Sequence, residues 1–294
     1  MTRSNKQGRL AGKVAIVTGA GTRVSEDPEY GKIEHVAPSA EFPGTGRAIA
    51  ICFAREGAKV LLADKSEEQA EATLDVVRAE GGEASIFQAD VSDVAQCREM
   101  TKTAVERYGA LDILVNNVGI GGRGTVADIS EEVWDHSLDV NLKGMVFASK
   151  YAIPEMAKSG GGSIINLSSV DGIRAGITPN VAYSAAKGGV VSVTRATAVY
   201  HGKEHIRANC IVPGHIFAPM VTHIPKKYRE QRLRSSPLGT EGTAWDIAWA
   251  AVFLASDESR WISGVVLPVD GGVLASLPLH MAPAISGVDT LGEL

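Results

Sequence analysis

Lys13-Val14-Ala15-Ile16-Val17-Thr18 runs straight into Gly19-Ala20-Gly21. The run is apolar and largely β-branched from Val14, which reads as a strand buried on both faces. The glycines after it read as the tight turn that ends it. The same alternation continues outward. Strand-length apolar runs recur at 59–64, 83–88, 111–116, 162–167, 206–211 and 265–269, and with 13–18 they make seven strands. Amphipathic helical patterns fall between them, at 46–56, 67–80, 93–108, 131–157, 181–200 and 245–255. Ser66 with Gln69 three residues on reads as a capping box for the second of these. Strand–helix alternation of this kind predicts an α/β fold: a Rossmann-like, doubly wound, mostly parallel sheet with helices on both faces. No linker or internal repeat breaks residues 1–294, so one domain is expected. It carries a polar insertion at 22–43 and a tail at 276–294 with few charges.

The composition narrows the function. The chain has 294 residues, 45% apolar and 21% charged, with a formal net charge of −5. No basic footprint suits nucleic acid. Cys52, Cys97 and Cys210 are dispersed and odd in number, which fits a reducing cytoplasm. The histidines show no zinc-ligand spacing, so no metal site is expected. The polar, basic first residues do not resemble a secretory signal, and no run is long and apolar enough to span a membrane.

The glycine turn has a partner. The first helix opens at Gly44-Thr45-Gly46, and a helix N-terminus offers free N–H groups and a positive dipole end to a pyrophosphate. Glycine there lets the phosphate approach the backbone. Asp64 ends the second strand, where a carboxylate binds the adenosine ribose hydroxyls and repels a 2′-phosphate, favouring NAD over NADP. Lys65 follows it and leaves NADP open. Tyr183 and Lys187, four residues apart, share one helix face. A phenol ordinarily ionises near pH ~10. A neighbouring ammonium is expected to lower that value and make the pair a general acid/base near neutrality.

Assembled, these residues resemble the short-chain dehydrogenase/reductase family over about residues 10–275. Gly19, Gly44 and Gly46 match its glycines, and Asp90-Val91 its adenine-contacting pair. Asn116-Asn117-Val118-Gly119 resembles the turn after its fourth strand, with Val118 for the usual Ala. Pro213-Gly214, with Ile216 beyond, resembles the turn facing the nicotinamide, and Asp270-Gly271-Gly272 the closing motif. The resemblance implies four catalytic residues. Tyr183 is the proton donor or acceptor, and Lys187 lowers its pKa and holds the nicotinamide ribose. Ser169, the second of Ser168-Ser169, binds the substrate oxygen, and Asn141 positions a water. It also implies a small-molecule substrate and a homotetramer or homodimer, with apolar faces in 133–157 and 181–200 as contacts.

Two departures stand out. Residues 20–43 separate Gly19 from Gly44, about 21 more than the family pattern has. Loop closure grows only logarithmically with length, so the insertion costs roughly 1–2 kcal/mol if both ends return to the phosphate site. A fold of this loop over the cofactor is one expectation, and a solvent flap without a role is the other. Pro43 stands where NADP-preferring relatives often carry a basic residue, although Arg23 lies within the same insertion. Ala218 stands where the family has Thr, whose hydroxyl supports the nicotinamide carboxamide. His215 and Thr222 are both candidates to replace it. The loops 120–126, 170–180 and 216–238 are expected to choose the substrate. The last carries Lys226, Lys227, Arg229, Arg232 and Arg234, which read either as an anion-attracting cluster or as a solvated helix face. The leading reading is an NAD-dependent dehydrogenase of secondary alcohols. Its rivals are an NADPH-dependent 3-oxoacyl-type ketoreductase and a non-catalytic dinucleotide sensor.

Overall fold

The structure, a computed structural model, describes residues 8–22, 43–176, 178–219 and 225–277. The interior of the insertion, with Arg23, lies outside them, as do Thr222 and the tail beyond residue 277.

The chain alternates as its apolar runs foretell. β1 (Val14–Thr18) leads to α1 (Thr45–Arg55), β2 (Lys59–Asp64), α2 (Glu67–Ala79), β3 (Glu83–Gln88), α3 (Val94–Tyr108) and β4 (Ile113–Asn116). Then come α4 (Glu131–Leu138), α5 (Gly144–Lys158), β5 (Gly162–Leu167), α6 (Val181–Tyr200) and β6 (Ile206–Pro213). A short β7 (Ile216–Phe217), α7 (Lys226–Ser235), β8 (Gly242–Thr243), α8 (Ala244–Ala255) and β9 (Val266–Val269) close the described part. Seven strands form one sheet in the order β3-β2-β1-β4-β5-β6-β9, with every pairing parallel.

Side chains alternate across a strand, so a doubly covered strand must be apolar at consecutive positions. Ala15 and Val17 of β1 and Val60 and Leu62 of β2 enter the core beneath α1, α2 and α8. Ile16 and Leu61, between them, enter the opposite core with α3 and α5. The strand order reverses between β1 and β4, and a crevice opens there beyond the carboxyl ends of the strands.

Four of the helices start on side-chain caps, and α1, α5, α6 and α7 do not. Ser66 caps α2, Asp93 caps α3 and Ser130 caps α4, each side chain accepting a backbone N–H. Gly44, at the head of α1, offers no such side chain, and the first turn of α1 holds no acidic residue.

Two expectations are corrected. The helix foreseen at 131–157 is interrupted by a π-helical turn at Asp139–Lys143. Asn141 sits in that turn, and both its amide protons are drawn to the carbonyls of Ser137 (2.8 Å) and Ile120 (2.9 Å). The stretch 216–238, read as a loop, contains β7 and α7; β7 pairs in parallel with β8.

Candidate active site

A cavity of about 820 Å³ occupies the crevice. Gly19, Gly44, Gly46, Asp64, Asp90, Val91, Asn117, Gly119, Pro213, Gly214 and Ile216 all line it, together with Ser169, Tyr183 and Lys187. Asn141 is set one layer behind. A methyl group on Gly119 would meet Asn141 Oδ1 at 3.2 Å and Lys187 Nζ at 3.3 Å, so this glycine is the thin wall between them.

The glycine end is built by close approach. A Cβ on Gly46 would fall 1.9 Å from the Gly19 carbonyl oxygen and 2.5 Å from Asn117 Nδ2, and Gly19 holds a φ of +65°. Asn117 donates through Nδ2 to the carbonyls of Thr18 (3.0 Å) and Gly19 (3.2 Å), which ties β4 to the turn after β1. Behind the turn, Thr22 is buried, and its hydroxyl accepts the Gly44 N–H at 3.0 Å. The two ends of the insertion therefore meet at this hydrogen bond, as a split glycine motif requires.

The opposite wall of this end is acidic. Asp64 Oδ2 accepts the Gly21 N–H at 2.8 Å, and Oδ1 accepts the Ser66 N–H at 3.0 Å. Lys65 does not point at the same place: its ammonium pairs with Asp90 Oδ2 at 2.7 Å. Asp90 is held down at a pKa of about 2 although burial opposes this, because Lys65 and Ser92 hydrogen-bond its carboxylate. An uncapped helix start, a clash-tight pair of glycines and a carboxylate at the end of β2 fit a dinucleotide: phosphates at α1, a ribose diol at Asp64.

At the other end Tyr183 and Lys187 share one face of α6, as their spacing predicts. The ammonium lies 5.6 Å from the centre of the phenol ring and donates to the Leu167 carbonyl at 2.8 Å. Lys187 is 3% exposed. The expected acidification of Tyr183 by Lys187 is not found in the protein alone. Burial pushes the phenol up to about 12; the Ser169 hydroxyl bonded to it pulls down, and Asp171 pushes up. Burial also presses Lys187 down to about 8. Desolvation favours the neutral form of each group and outweighs their mutual attraction across this distance.

Ser169 serves two neighbours, since its hydroxyl also accepts the Asp171 N–H at 3.2 Å and opens the short 3₁₀ turn Val170–Gly172. Ser168 clamps that segment to α6 by donating to the Lys187 carbonyl at 2.7 Å. Asn141 accepts the Ile120 N–H at 3.0 Å besides its two donations, so its side chain is committed to the loop after β4. Ala218 lines the cavity, but His215 does not turn toward it: His215 Nδ1 lies 3.1 Å from Ser235 Oγ and 3.2 Å from the Arg232 carbonyl oxygen. Sequence reasoning missed Gln69, His136 and Arg232 as individual lining residues. Only the position of Arg232 in a basic run hinted at it.

A family model described as enoyl-(acyl carrier protein) reductase matches residues 40–274. A 3-oxoacyl-(acyl-carrier-protein) reductase of Thermotoga maritima is 35% identical over 266 residues, covering 90% of this chain and 99% of that protein. A 2,5-dichloro-2,5-cyclohexadiene-1,4-diol dehydrogenase of Sphingobium indicum is 39% identical over 90% of this chain and 97% of its own length. Among solved structures, a short-chain dehydrogenase/reductase from Burkholderia xenovorans superposes with a TM-score of 0.83 at 39% identity, covering 92% of this chain and 99% of that one. Levodione reductase gives a TM-score of 0.80 at 33% identity, over 91% of this chain and 100% of that one.

Proposed function

The chain belongs to the short-chain dehydrogenase/reductase family and is an oxidoreductase of hydroxyl and carbonyl groups that uses NAD(P), and from that premise we propose that it is an NAD-dependent dehydrogenase of secondary alcohols. The observation that carries this reading is a single cavity with Ser169, Tyr183 and Lys187 at one end and Asp64 beside the open start of α1 at the other. Asp64 supports NAD, because its carboxylate would face a 2′-phosphate while Lys65 is already paired with Asp90. Two of the relatives are named for cyclic alcohol or ketone substrates, which agrees with a secondary carbinol.

In this mechanism Ser169 donates to the substrate oxygen and Tyr183 takes the hydroxyl proton as the carbinol carbon loses its hydride. When bound, the oxidised nicotinamide supplies the hydride acceptor and a positive charge that favours the phenolate. Lys187, fixed by the Leu167 carbonyl, points its charge at the floor of the same cavity and holds the ribose. Asn141 keeps the loop carrying Gly119 and Ile120 in place. Three buried free thiols agree with a cytoplasmic setting, and the family habit suggests a homotetramer or homodimer.

The test is a panel of secondary alcohols with NAD at alkaline pH, followed by NADH absorbance. Tyr183→Phe should lower kcat/KM by about 10²–10⁴-fold and leave NAD affinity within about twofold. Full turnover in that variant would sink the mechanism. The 3-oxoacyl-reductase relative gives a second reading, an NADPH-dependent ketoreductase. Faster turnover with NADPH than with NADH would favour it.

A further inference from the structure

The basic run of α7 divides into unequal members. Lys226, Lys227 and Arg234 are exposed to solvent. Arg229 stacks on Phe217, 3.5 Å from the ring centre, and donates through Nε (3.2 Å) and Nη2 (2.9 Å) to Glu241 Oε2. Arg232 differs from all of these. It lines the catalytic cavity beside Ile216 and Ala218, its side chain is 18% exposed, and Nη2 donates to the Ile216 carbonyl at 3.1 Å. Its Nη1 is buried and has no hydrogen-bond partner.

Glu241 only partly neutralises this guanidinium. It is nearly buried, and Oε2 is taken by Arg229. Oε1 stays 3.8 Å from Arg232 Nε, beyond hydrogen-bond reach, and is itself unpartnered. Two guanidinium groups thus share one carboxylate, and one positive charge is left over at the wall of a cavity. Burial works against the charge on Arg232, Arg229 adds to that pressure, and Glu241 opposes it. A buried cation without a full partner is costly, and an anion brought by a ligand relieves it.

We propose that Arg232 anchors a carboxylate carried by the substrate, so that the enzyme prefers hydroxy acids to neutral alcohols. This rests on the dehydrogenase reading above. The cavity end favours substrate over cofactor as the source of the anion. Arg232 lies among the residues around Pro213, Gly214 and Ile216, while the uncapped start of α1 suits the pyrophosphate.

The experiment compares 4-hydroxycyclohexanecarboxylate with its methyl ester, and 3-hydroxybutanoate with its methyl ester, in the unmodified enzyme, Arg232→Gln and Arg232→Lys. The unmodified enzyme should show the higher kcat/KM for at least one acid. Arg232→Gln should cut that acid-to-ester ratio at least tenfold through KM, and Arg232→Lys should restore part of it. A merely structural role would lower acid and ester together and leave the ratio unmoved, which overturns the proposal. So does a parallel loss of NAD affinity, which would assign the guanidinium to the cofactor. A second arm needs no turnover: cyclohexanecarboxylate is titrated into the enzyme–NADH complex and followed by NADH fluorescence. Saturable binding that weakens at least tenfold in Arg232→Gln supports the anchor, and its absence in the unmodified enzyme overturns it. If no alcohol is oxidised, the dehydrogenase reading fails, while this arm still decides the role of Arg232.

Discussion

Lys187 sits in a position that a charged amine resists. Its ordinary pKa of 10.5 falls to about 8 in the fold because burial disfavours the ammonium. Between those values the unfolded chain holds a proton that the folded chain has lost. Folding stability contributed by this group therefore rises as pH climbs from about 8 toward 10.5, and below pH 8 the full penalty of burying the charge is present. Tyr183 acts oppositely. Its pKa rises from 10.0 to about 12, so the folded state keeps a proton that the unfolded state releases, and stability falls above pH 10. Thermal melts of the unmodified protein and Lys187→Met at pH 7 and pH 9.5 should show the stability of the unmodified protein rise relative to the variant at the higher pH; a constant difference would refute the assignment. Asp64 gives a second test at this scale. Asp64→Ala removes the carboxylate that repels a 2′-phosphate, so the NAD-to-NADP ratio of kcat/KM should drop at least tenfold. An unchanged ratio would mean that discrimination lies elsewhere. What the sequence made legible here was chemical type and spacing: a phenol and an amine one turn apart, a carboxylate ending a strand. It could not show which physical effect prevails. The pair was expected to attract, and burial wins because the ammonium lies 5.6 Å from the ring centre and is bonded to Leu167. Arg232 was hidden for the same reason, since five basic residues within one short segment look alike until burial separates them.

Among the elements, α1 and its approach carry the most unusual arrangement. Thr22, beyond the end of β1, and Gly44, at the head of α1, bracket the insertion, and the Gly44 N–H donates to the Thr22 hydroxyl across it. Thr22→Val keeps the shape and orphans a partly buried N–H, so it should cost about 1–3 kcal/mol of stability, read by chemical denaturation, and weaken NAD binding. A variant as stable as the parent would show that the junction is held by other contacts. Strands were the best-read elements: 59–64, 83–88 and 162–167 appear with unchanged bounds. Consecutive apolar residues facing two cores leave little room for another assignment. Helix 131–157 was misread because a π turn adds one residue to a turn without disturbing the apolar pattern enough to show. The cause is the Asn141 side chain, which takes the Ser137 carbonyl from within its own helix and the Ile120 carbonyl from outside it. α7 was legible only as one of two readings, a solvated helix face, because it has no apolar stripe; Arg229 ties it to Phe217 and Glu241.

At the scale of the whole molecule, the parallel order β3-β2-β1-β4-β5-β6-β9 points every strand's carboxyl end at one crevice. Residues from Gly19 to Gly214 therefore meet in one cavity although they are distant in the chain. The nicotinamide end also leans on the last strand. A Cβ on Gly214 would fall 2.5 Å from Asp270 Cα, and the Gly214 N–H donates to the Val269 carbonyl at 3.0 Å. Asp270 in turn accepts the N–H groups of Gly272 (2.9 Å) and Leu274 (2.8 Å). The adenosine end takes its lining from the turns after β1, β2, β3 and β4, and its core is closed by α8. During synthesis the chain emerges at about 5–20 residues per second, so β1–β4 and α8 leave the ribosome before β9 does. A nascent chain stalled with Gly264 just outside the exit tunnel should resist proteolysis around β1–β4 yet remain cleavable near Pro213. Release of about a dozen further residues should seal that site within seconds. Equal protection of both regions at the earlier stall would show that β9 is not the latch. Competence for hydride transfer would then be the last property the newborn polypeptide acquires, which keeps half-made copies from consuming nucleotide.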